Sequence, residues 1–218
     1  MARTVNLTHE IYTFDELAPE VQAGLIQAEI DIQRDMWDGE CTKEDWEGIL
    51  DDIGFEFPEI RYSGFCSPGD GASFTCSNVD IVKLLDFLKA GPDVVNAGYK
   101  DRQLSLVQFD TYVLDWLVAF DAGNHFTLSI DRTSRQNYVH KYTISGGLQC
   151  TGAIGPELEN RLGDLRFATE CLARDLSEMI YQELKEDYEY APCEENARIA
   201  IREQENEYFE DGEIFNEN

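Results

Sequence analysis

Between Pro19 and Trp37, Val21, Leu25, Ala28, Ile32 and Met36 recur every three or four positions, which predicts an amphipathic helix with Pro19 in its first turn and Asp15 and Glu16 just upstream. Thr42 precedes Asp45 by three, close to a capping box, and Trp46, Ile49, Leu50 and Ile53 keep one face apolar until Gly54, so a second, shorter helix is expected. Phe55, Phe57, Ile60 and Tyr62 read as extended chain, with Pro58 confining the segment to an edge or a bulge. The glycine-rich run from Ser63 to Phe74 marks a shaped turn between two short strands. Asn78 is expected to cap a helix over Val79–Ala90 that Gly91-Pro92 stops.

Leu104–Phe120 is apolar on nearly every face, and a buried helix is favoured there over paired strands. Phe126–Ile130 alternates with period two. Tyr138, His140, Tyr142 and Ile144 alternate again after a polar turn at Asp131–Asn137, so the two segments read as a hairpin, with Gly146-Gly147 and residues 152–156 as loops. From Glu157 to Leu184 apolar residues hold helical spacing for about seven turns. Pro192 breaks the pattern, and Glu194–Tyr208 resumes it with Ala197, Ala200 and Ile201 on one side. The tail from Asp211 to Asn218 is polar enough to fray. Helices, then strands, then long helices predict an α+β fold: a small antiparallel sheet packed against several helices, with a helical acidic C-terminal segment. The expected division is a single α+β domain over residues 1–190 and an acidic helical tail over residues 191–218.

Composition narrows the choice of partners. Apolar residues make up 43% of the 218, with 12 Phe, 10 Tyr and 3 Trp, enough for a packed core and too many for an acidic disordered chain. Lys and Arg number 17 against 44 Asp and Glu, a net charge of −27, which opposes direct binding to nucleic acid or to an anionic membrane and points to a basic partner. The acid is segmental: residues 1–60 carry a net −13, residues 61–160 only −3, and residues 161–218 −11. A surface adapted to high salt would carry acid throughout. No two of the six cysteines are closer than ten positions, so thiolate metal spacing is missing. The N-terminal residues lack a signal-peptide core and no run is long and apolar enough to span a bilayer, which reads as a soluble, cytoplasmic protein with reduced thiols and no membrane partner.

Catalytic motifs are scarce. The Gly69-Asp70-Gly71 loop could aim backbone N–H groups at an anion with Asp70 beside it as a base or metal ligand. No Lys-Ser/Thr follows it as a phosphate loop requires. The competing reading is a tight bulged hairpin in which Gly69 and Gly71 supply positive φ and Asp70 caps the turn. His125 and His140 flank the expected hairpin and could pair with Asp121 or Asp131 on a metal, but two imidazoles hydrogen-bonded within a sheet are the simpler expectation. No GxSxG, HExxH or EF-hand spacing occurs, so the expectation is a non-enzymatic protein with no cofactor and no metal.

The carboxylates carry the main expectation. Residues 29–59 hold 12 acids and 2 bases, and residues 183–217 hold 13 and 3, a net −10 in each. As helix, either segment has about one charge per 5 Å of axis. Duplex DNA carries about one per 1.7 Å and a single strand about one per 3.4 Å. Side by side the two segments reach about one per 2.5 Å, close enough to compete for Lys and Arg grooves, provided both segments, or two copies in a homodimer, form one acidic face. The candidate partner-binding residues are Glu40, Glu44, Asp45, Glu47, Asp51 and Asp52 in the first segment. In the second they are Glu186, Asp187, Glu189, Glu194, Glu195, Glu203 and Glu207. Tyr181, Tyr188, Tyr190, Tyr208, Phe209 and Phe215 interleave with acid, as anchors at an interface do.

The run Ser63-Gly64-Phe65-Cys66-Ser67-Pro68-Gly69-Asp70-Gly71-Ala72-Ser73-Phe74, with Glu186-Asp187-Tyr188-Glu189-Tyr190, resembles a scattered group of small bacteriophage proteins, some labelled antitoxin-like. Their pattern is closer to SGFxSQGDGA, with a Trp before the Ser, and Cys66 and Pro68 depart from it. The resemblance implies a phage origin, a setting in which strongly acidic proteins look like inhibitors of DNA-binding defence enzymes. The leading expectation is an acidic inhibitor that blocks a basic nucleic-acid-binding partner, a host CRISPR or restriction nuclease or defence complex, by DNA mimicry in the host cytoplasm. The alternative is a small hydrolase or ligand-binding protein that uses Gly69-Asp70-Gly71 with His125 or His140.

Overall fold

The computed structural model describes residues 8–90, 126–133, 138–151 and 155–215, and of residues 88–90 the backbone alone. Five α-helices lie in these residues: α1 (Pro19–Met36), α2 (Glu40–Ile53), α3 (Ile81–Ala90), α4 (Pro156–Tyr190) and α5 (Glu194–Glu203). Six short strands pair as three antiparallel two-stranded ladders. β1 (Phe55–Glu56) pairs with β4 (Asn78–Val79), β2 (Glu59–Tyr62) with β3 (Ala72–Thr75), and β5 (Phe126–Arg132) with β6 (Ile144–Cys150). The fold is α+β. No described helix is long and apolar enough to cross a membrane. The expectations at Gly91-Pro92, Leu104–Phe120, Asp121 and His125 lie outside the described residues, as do parts of the 131–137 turn, the 152–156 loop and the far C-terminus.

The chain forms two compact units, residues 1–39 with 186–218, and residues 40–185. The first is built on α1 and α5. Phe14, Leu17, Ile26, Ala197, Ile201 and Tyr208 form its core, with Tyr12, Val21, Leu25 and Ile30 packed against it. The sequence read residues 191–218 as a tail. In this unit α5 instead buries Ala197 and Ile201, and the chain after it bridges Tyr208 to both Tyr12 and Ile214. The expected helix to Tyr208 stops at Glu203 because Glu205 takes a left-handed conformation (φ 51°), which helices adopt just beyond their last turn.

In the second unit α2 buries Trp46, Leu50 and Ile53, and Trp46 donates its indole N–H to Glu183 of α4 (2.8 Å). The rings of Phe55 and Phe74 meet edge to face at 4.9 Å. Cys76 and Ile130 exchange both backbone hydrogen bonds (3.0 Å each), joining the chain beyond β3 to β5. Burial there pushes the Cys76 thiol up to about 11.

Further boundaries differ from the sequence expectation: α2 already begins at Glu40, so Thr42 lies inside it rather than capping it. Asn78 is in β4, and the cap of α3 is Asp80, whose Oδ1 accepts from the N–H groups of Val82 (2.9 Å) and Lys83 (3.1 Å). The partner of β5 is residues 144–150, in the register Phe126↔Cys150 to Arg132↔Ile144, whereas residues 141–143 form a single 3₁₀ turn. The glycines that suggested a loop are instead demanded by packing: a Cβ on Gly146 would lie 2.9 Å from the carbonyl oxygen of Arg166 on α4. Buried Glu170 completes this contact by accepting the Gly146 N–H (2.9 Å) while pairing with Arg174.

Candidate functional site

The motif loop is wired inward. Asp70 Oδ2 accepts from the backbone N–H groups of Cys66 (2.8 Å) and Ser67 (2.6 Å), and the Asp70 N–H returns to the Ser67 carbonyl (2.9 Å). Asp70 therefore caps its own turn. Ser63 Oγ accepts from the Gly71 N–H (3.2 Å) and donates to the Val139 carbonyl (3.1 Å). Neither Gly69 nor Gly71 has a positive φ, contrary to the hairpin expectation; Gly64 does (φ 119°). The other two are glycine because the 138–140 segment lies on them. A Cβ at Gly69 would come within 2.9 Å of the Tyr138 ring, and one at Gly71 within 2.9 Å of His140 Cδ2 and 3.1 Å of the Val139 carbonyl oxygen.

Around this turn Tyr62, Phe65 and Tyr181 stack in succession, with ring centroids 5.7 and 5.6 Å apart. Burial first, then the charges of Asp70 and Glu178, raise the Tyr181 hydroxyl above its ordinary value. His140 stacks on Tyr142, and its Nδ1 accepts the Tyr142 N–H (3.3 Å). Lys141 and Arg174 lie over the same ring, and they pair with Glu178 and Glu170. The hydrogen bonds described at Asp70 and His140 serve to hold the local chain.

The carboxylates singled out in the sequence fall into two groups, one per unit. Glu40, Glu44, Glu47 and Asp51 follow one another at i, i+4, i+7 and i+11 along α2, with Asp45 and Asp52 on its flank. The helix directs Trp46, Leu50 and Ile53 to the core, so the acids occupy its outer side. Six acids against Lys43 and the Lys83 that pairs onto the helix leave roughly one net charge per 5 Å over about 21 Å of axis. Lys43 pairs with Glu40 (2.7 Å) and Lys83 with Asp51 (3.1 Å), and these carboxylates hold both lysines above their ordinary values. Glu44, Asp45 and Asp52 are exposed.

In the first unit Glu186, Asp187 and Glu189 lie in the last turns of α4, Glu194, Glu195 and Glu203 on α5, and Glu207 just beyond it. Asp187 accepts the indole N–H of Trp37 (2.9 Å), and Glu194 pairs with Arg198 (2.9 Å). Each unit thus carries its own acidic group. Most of the aromatics expected to serve as anchors are engaged within the chain. Tyr208 is core, Tyr188 meets Trp37 edge on, and Phe209 touches both His9 and Phe215; Tyr190, by contrast, is 67% exposed. This unit also holds a cavity of about 680 Å³ lined by Thr8, His9, Glu10, Tyr12, Phe209, Glu210, Asp211 and Glu213. The hydrogen bond from Tyr12 to Glu10 (2.9 Å) leads the causes that raise the Tyr12 hydroxyl. Acid and aromatic walls suit a cation rather than an anion.

One residue departs from the pattern. Alternation predicts Phe57 on the same face as Phe55, yet Phe55 is fully buried and Phe57 is 87% exposed at φ 50°. A left-handed bulky residue costs about 1–3 kcal/mol, and burying its ring would contribute about 1.5–3 kcal/mol. The fold gives up both. Phe57 lies four residues beyond the end of α2, with Asp51 and Asp52 before it and Glu56 and Glu59 beside it. Sequence reasoning missed it: Pro58 marks the interruption between β1 and β2, but a residue before proline is expected to be extended, not left-handed.

The family described as a domain of unknown function (DUF8835) matches residues 37–194, well over half of the chain, so the chain belongs to that family. No curated protein and no solved structure gives a significant match.

Proposed function

We propose that this DUF8835 protein is a non-enzymatic binding protein whose acidic helix α2 competes with nucleic acid for a basic groove on a host nuclease or defence complex. The observation that carries the reading is the two-sided build of α2. Its apolar stripe is buried at Trp46, Leu50 and Ile53, while six carboxylates line the rest at about one net charge per 5 Å after the pairs with Lys43 and Lys83, nearer the spacing of a single polynucleotide strand than that of a duplex. Helical geometry fixes Glu40, Glu44, Glu47 and Asp51 in a row, so their order is set before a partner arrives. Likeness of the 63–74 run to small phage proteins supports the setting, in which a CRISPR or restriction effector is the target.

The test is competition. A restriction or CRISPR nuclease is loaded with fluorescent DNA, the protein is titrated in, and anisotropy is read at several salt concentrations. The expected result is release of the DNA, weakening steeply as salt rises. A variant combining Glu44→Gln, Asp45→Asn, Glu47→Gln and Asp52→Asn should compete on the order of tenfold less well with an unchanged melting temperature. DNA that stays bound at every protein concentration, with no complex formed, overturns the reading.

A further inference from the structure

We infer that the cavity beside Tyr12 and Phe209 in the first unit is a binding site for an alkylammonium group, carried by a small amine or by a lysine side chain. The inference stands apart from the competition reading of α2 and uses none of its residues.

The volume of the cavity, about 680 Å³, falls within the roughly 300–1,000 Å³ of small-molecule sites. Backbone bonds hold its walls in place. Tyr12 and Tyr208 exchange hydrogen bonds (2.9 Å each), Phe209 donates its N–H to the Glu213 carbonyl (2.8 Å), and Gly212 donates to the Phe209 carbonyl (2.9 Å). The same walls present both rings and carboxylates. His9 meets Phe209 edge to face at 5.3 Å, Tyr12 lines the space with them, and Glu10, Glu210, Asp211 and Glu213 join the lining.

This acid has no counter-charge. Elsewhere in the unit Asp15 pairs with Arg202, Glu194 with Arg198 and Asp31 with Arg34. Among the described residues no Lys or Arg lines the cavity or pairs with its four acids. Glu10 accepts the Tyr12 hydroxyl (2.9 Å) and Asp211 the Glu213 N–H (3.1 Å), whereas among the described residues the Glu210 and Glu213 side chains accept no hydrogen bond. The Glu10 bond leads in raising the Tyr12 hydroxyl, and burial and the charges of Glu10 and Glu210 add to it, so negative potential reaches the ring itself.

The spread of the acids decides which cation fits. Calcium or magnesium needs oxygens converging at about 2.0–2.6 Å, and among the described residues no group of three His, Cys, Asp or Glu could hold a metal ion. An ammonium on an alkyl stem needs no such convergence. Ring faces attract it from within about 6 Å, and separate carboxylates accept its N–H groups.

The test titrates butylammonium and Nα-acetyl-lysine methylamide into the full chain at about 0.15 M salt, with binding read by saturation-transfer NMR on the methylene protons of each probe. Both should bind, and the tighter one identifies a free amine or a lysine side chain as the natural bearer. Glu210→Gln combined with Glu213→Gln should weaken binding on the order of tenfold at an unchanged melting temperature. Phe209→Leu, which keeps an apolar side chain but loses the ring face, should weaken it about two- to fivefold. Glu44→Gln with Asp45→Asn removes the same charge from residues that do not line the cavity, and should change binding by about twofold or less. Equal weakening by the two neutralised pairs would mean attraction to net charge alone and overturns the inference. Undiminished binding by Phe209→Leu, or no transfer to either probe, overturns it too. None of these results bears on DNA competition by α2.

Discussion

Strand β2 is entered through the Phe57–Pro58 corner and left through the turn at residues 63–71, and the two joints treat their residues in opposite ways. The turn looks like chemistry, with three glycines, an aspartate and a cysteine. Yet Asp70 serves Cys66 and Ser67, while Gly69 and Gly71 make room for Tyr138 and His140. The corner looks like an ordinary edge strand, yet it turns a phenylalanine into solvent against the backbone's preference. A conspicuous motif can be consumed by its own folding, whereas a quiet position that lowers stability leaves something over for a partner.

The comparison breaks first at Asp70. Asp70→Ala removes the acceptor of two backbone N–H groups and should destabilise the protein by about 1.5–3 kcal/mol, read as a lower denaturant midpoint at constant slope, with DNA competition unchanged at protein concentrations where the variant is folded. Intact stability, or lost competition in the folded variant, would place the turn among the functional elements after all. Gly71→Ala comes next, at about 1–3 kcal/mol, because its Cβ meets His140 Cα and the Val139 carbonyl oxygen. Gly69→Ala should cost less, since Tyr138 is 61% exposed and its ring can swing aside. Equal losses at the two glycines would show that the 138–140 segment does not rest on the turn as described.

At the corner the sign reverses. Phe57→Gly relieves about 1–3 kcal/mol of backbone strain and adds about 0.5–1 kcal/mol of unfolded-chain entropy, so a net gain of about 1 kcal/mol is expected from equilibrium unfolding. A loss would mean that the ring holds the fold together. Neutralising Glu44, Asp45, Glu47 and Asp52 should change stability by no more than about 0.5 kcal/mol. Added salt should raise the melting temperature of wild type more than that of the neutralised variant, because it screens repulsion the variant lacks. The smallest effect lies in the first unit. Arg202 donates to Asp15 (2.7 Å) and holds its carboxyl below the usual value. A depressed carboxyl stabilises above its unfolded value, about 3.9, and loses that contribution as pH falls through the folded one. Asp15→Asn should therefore flatten the acid limb of that unit's unfolding below about pH 4.

Periodicity made α2 and α4 legible, because each buries a stripe that repeats with the helix. It found α1 as a helix but not its inner face: Ile26 is the residue buried there, whereas Ala28, Ile32 and Met36 of the expected stripe are exposed because the core of that unit meets α1 at Val21, Leu25, Ile26 and Ile30. β6 was not legible. Its Gly146-Gly147 pair carries no side-chain pattern, and the need for glycine comes from α4, which follows it in the chain. The start of α3 shifted because Asn78 and Asp80 are both good caps, and only the pairing of β4 with β1 decides between them. The acids of α2 could be placed on its outer side from their spacing against Trp46 and Leu50. The exposure of Phe57 could not, since a left-handed φ at a phenylalanine leaves no trace in hydrophobic alternation.

The bridge between Cys76 and Ile130 supplies a built-in clock for the second unit. With the residue only 4% exposed and its thiolate suppressed, Cys76 should react with an alkylating reagent only when those backbone bonds open. In a chain with its other five cysteines changed to serine, the rate of Cys76 labelling would then measure how often that seam comes apart at rest, with no denaturant added.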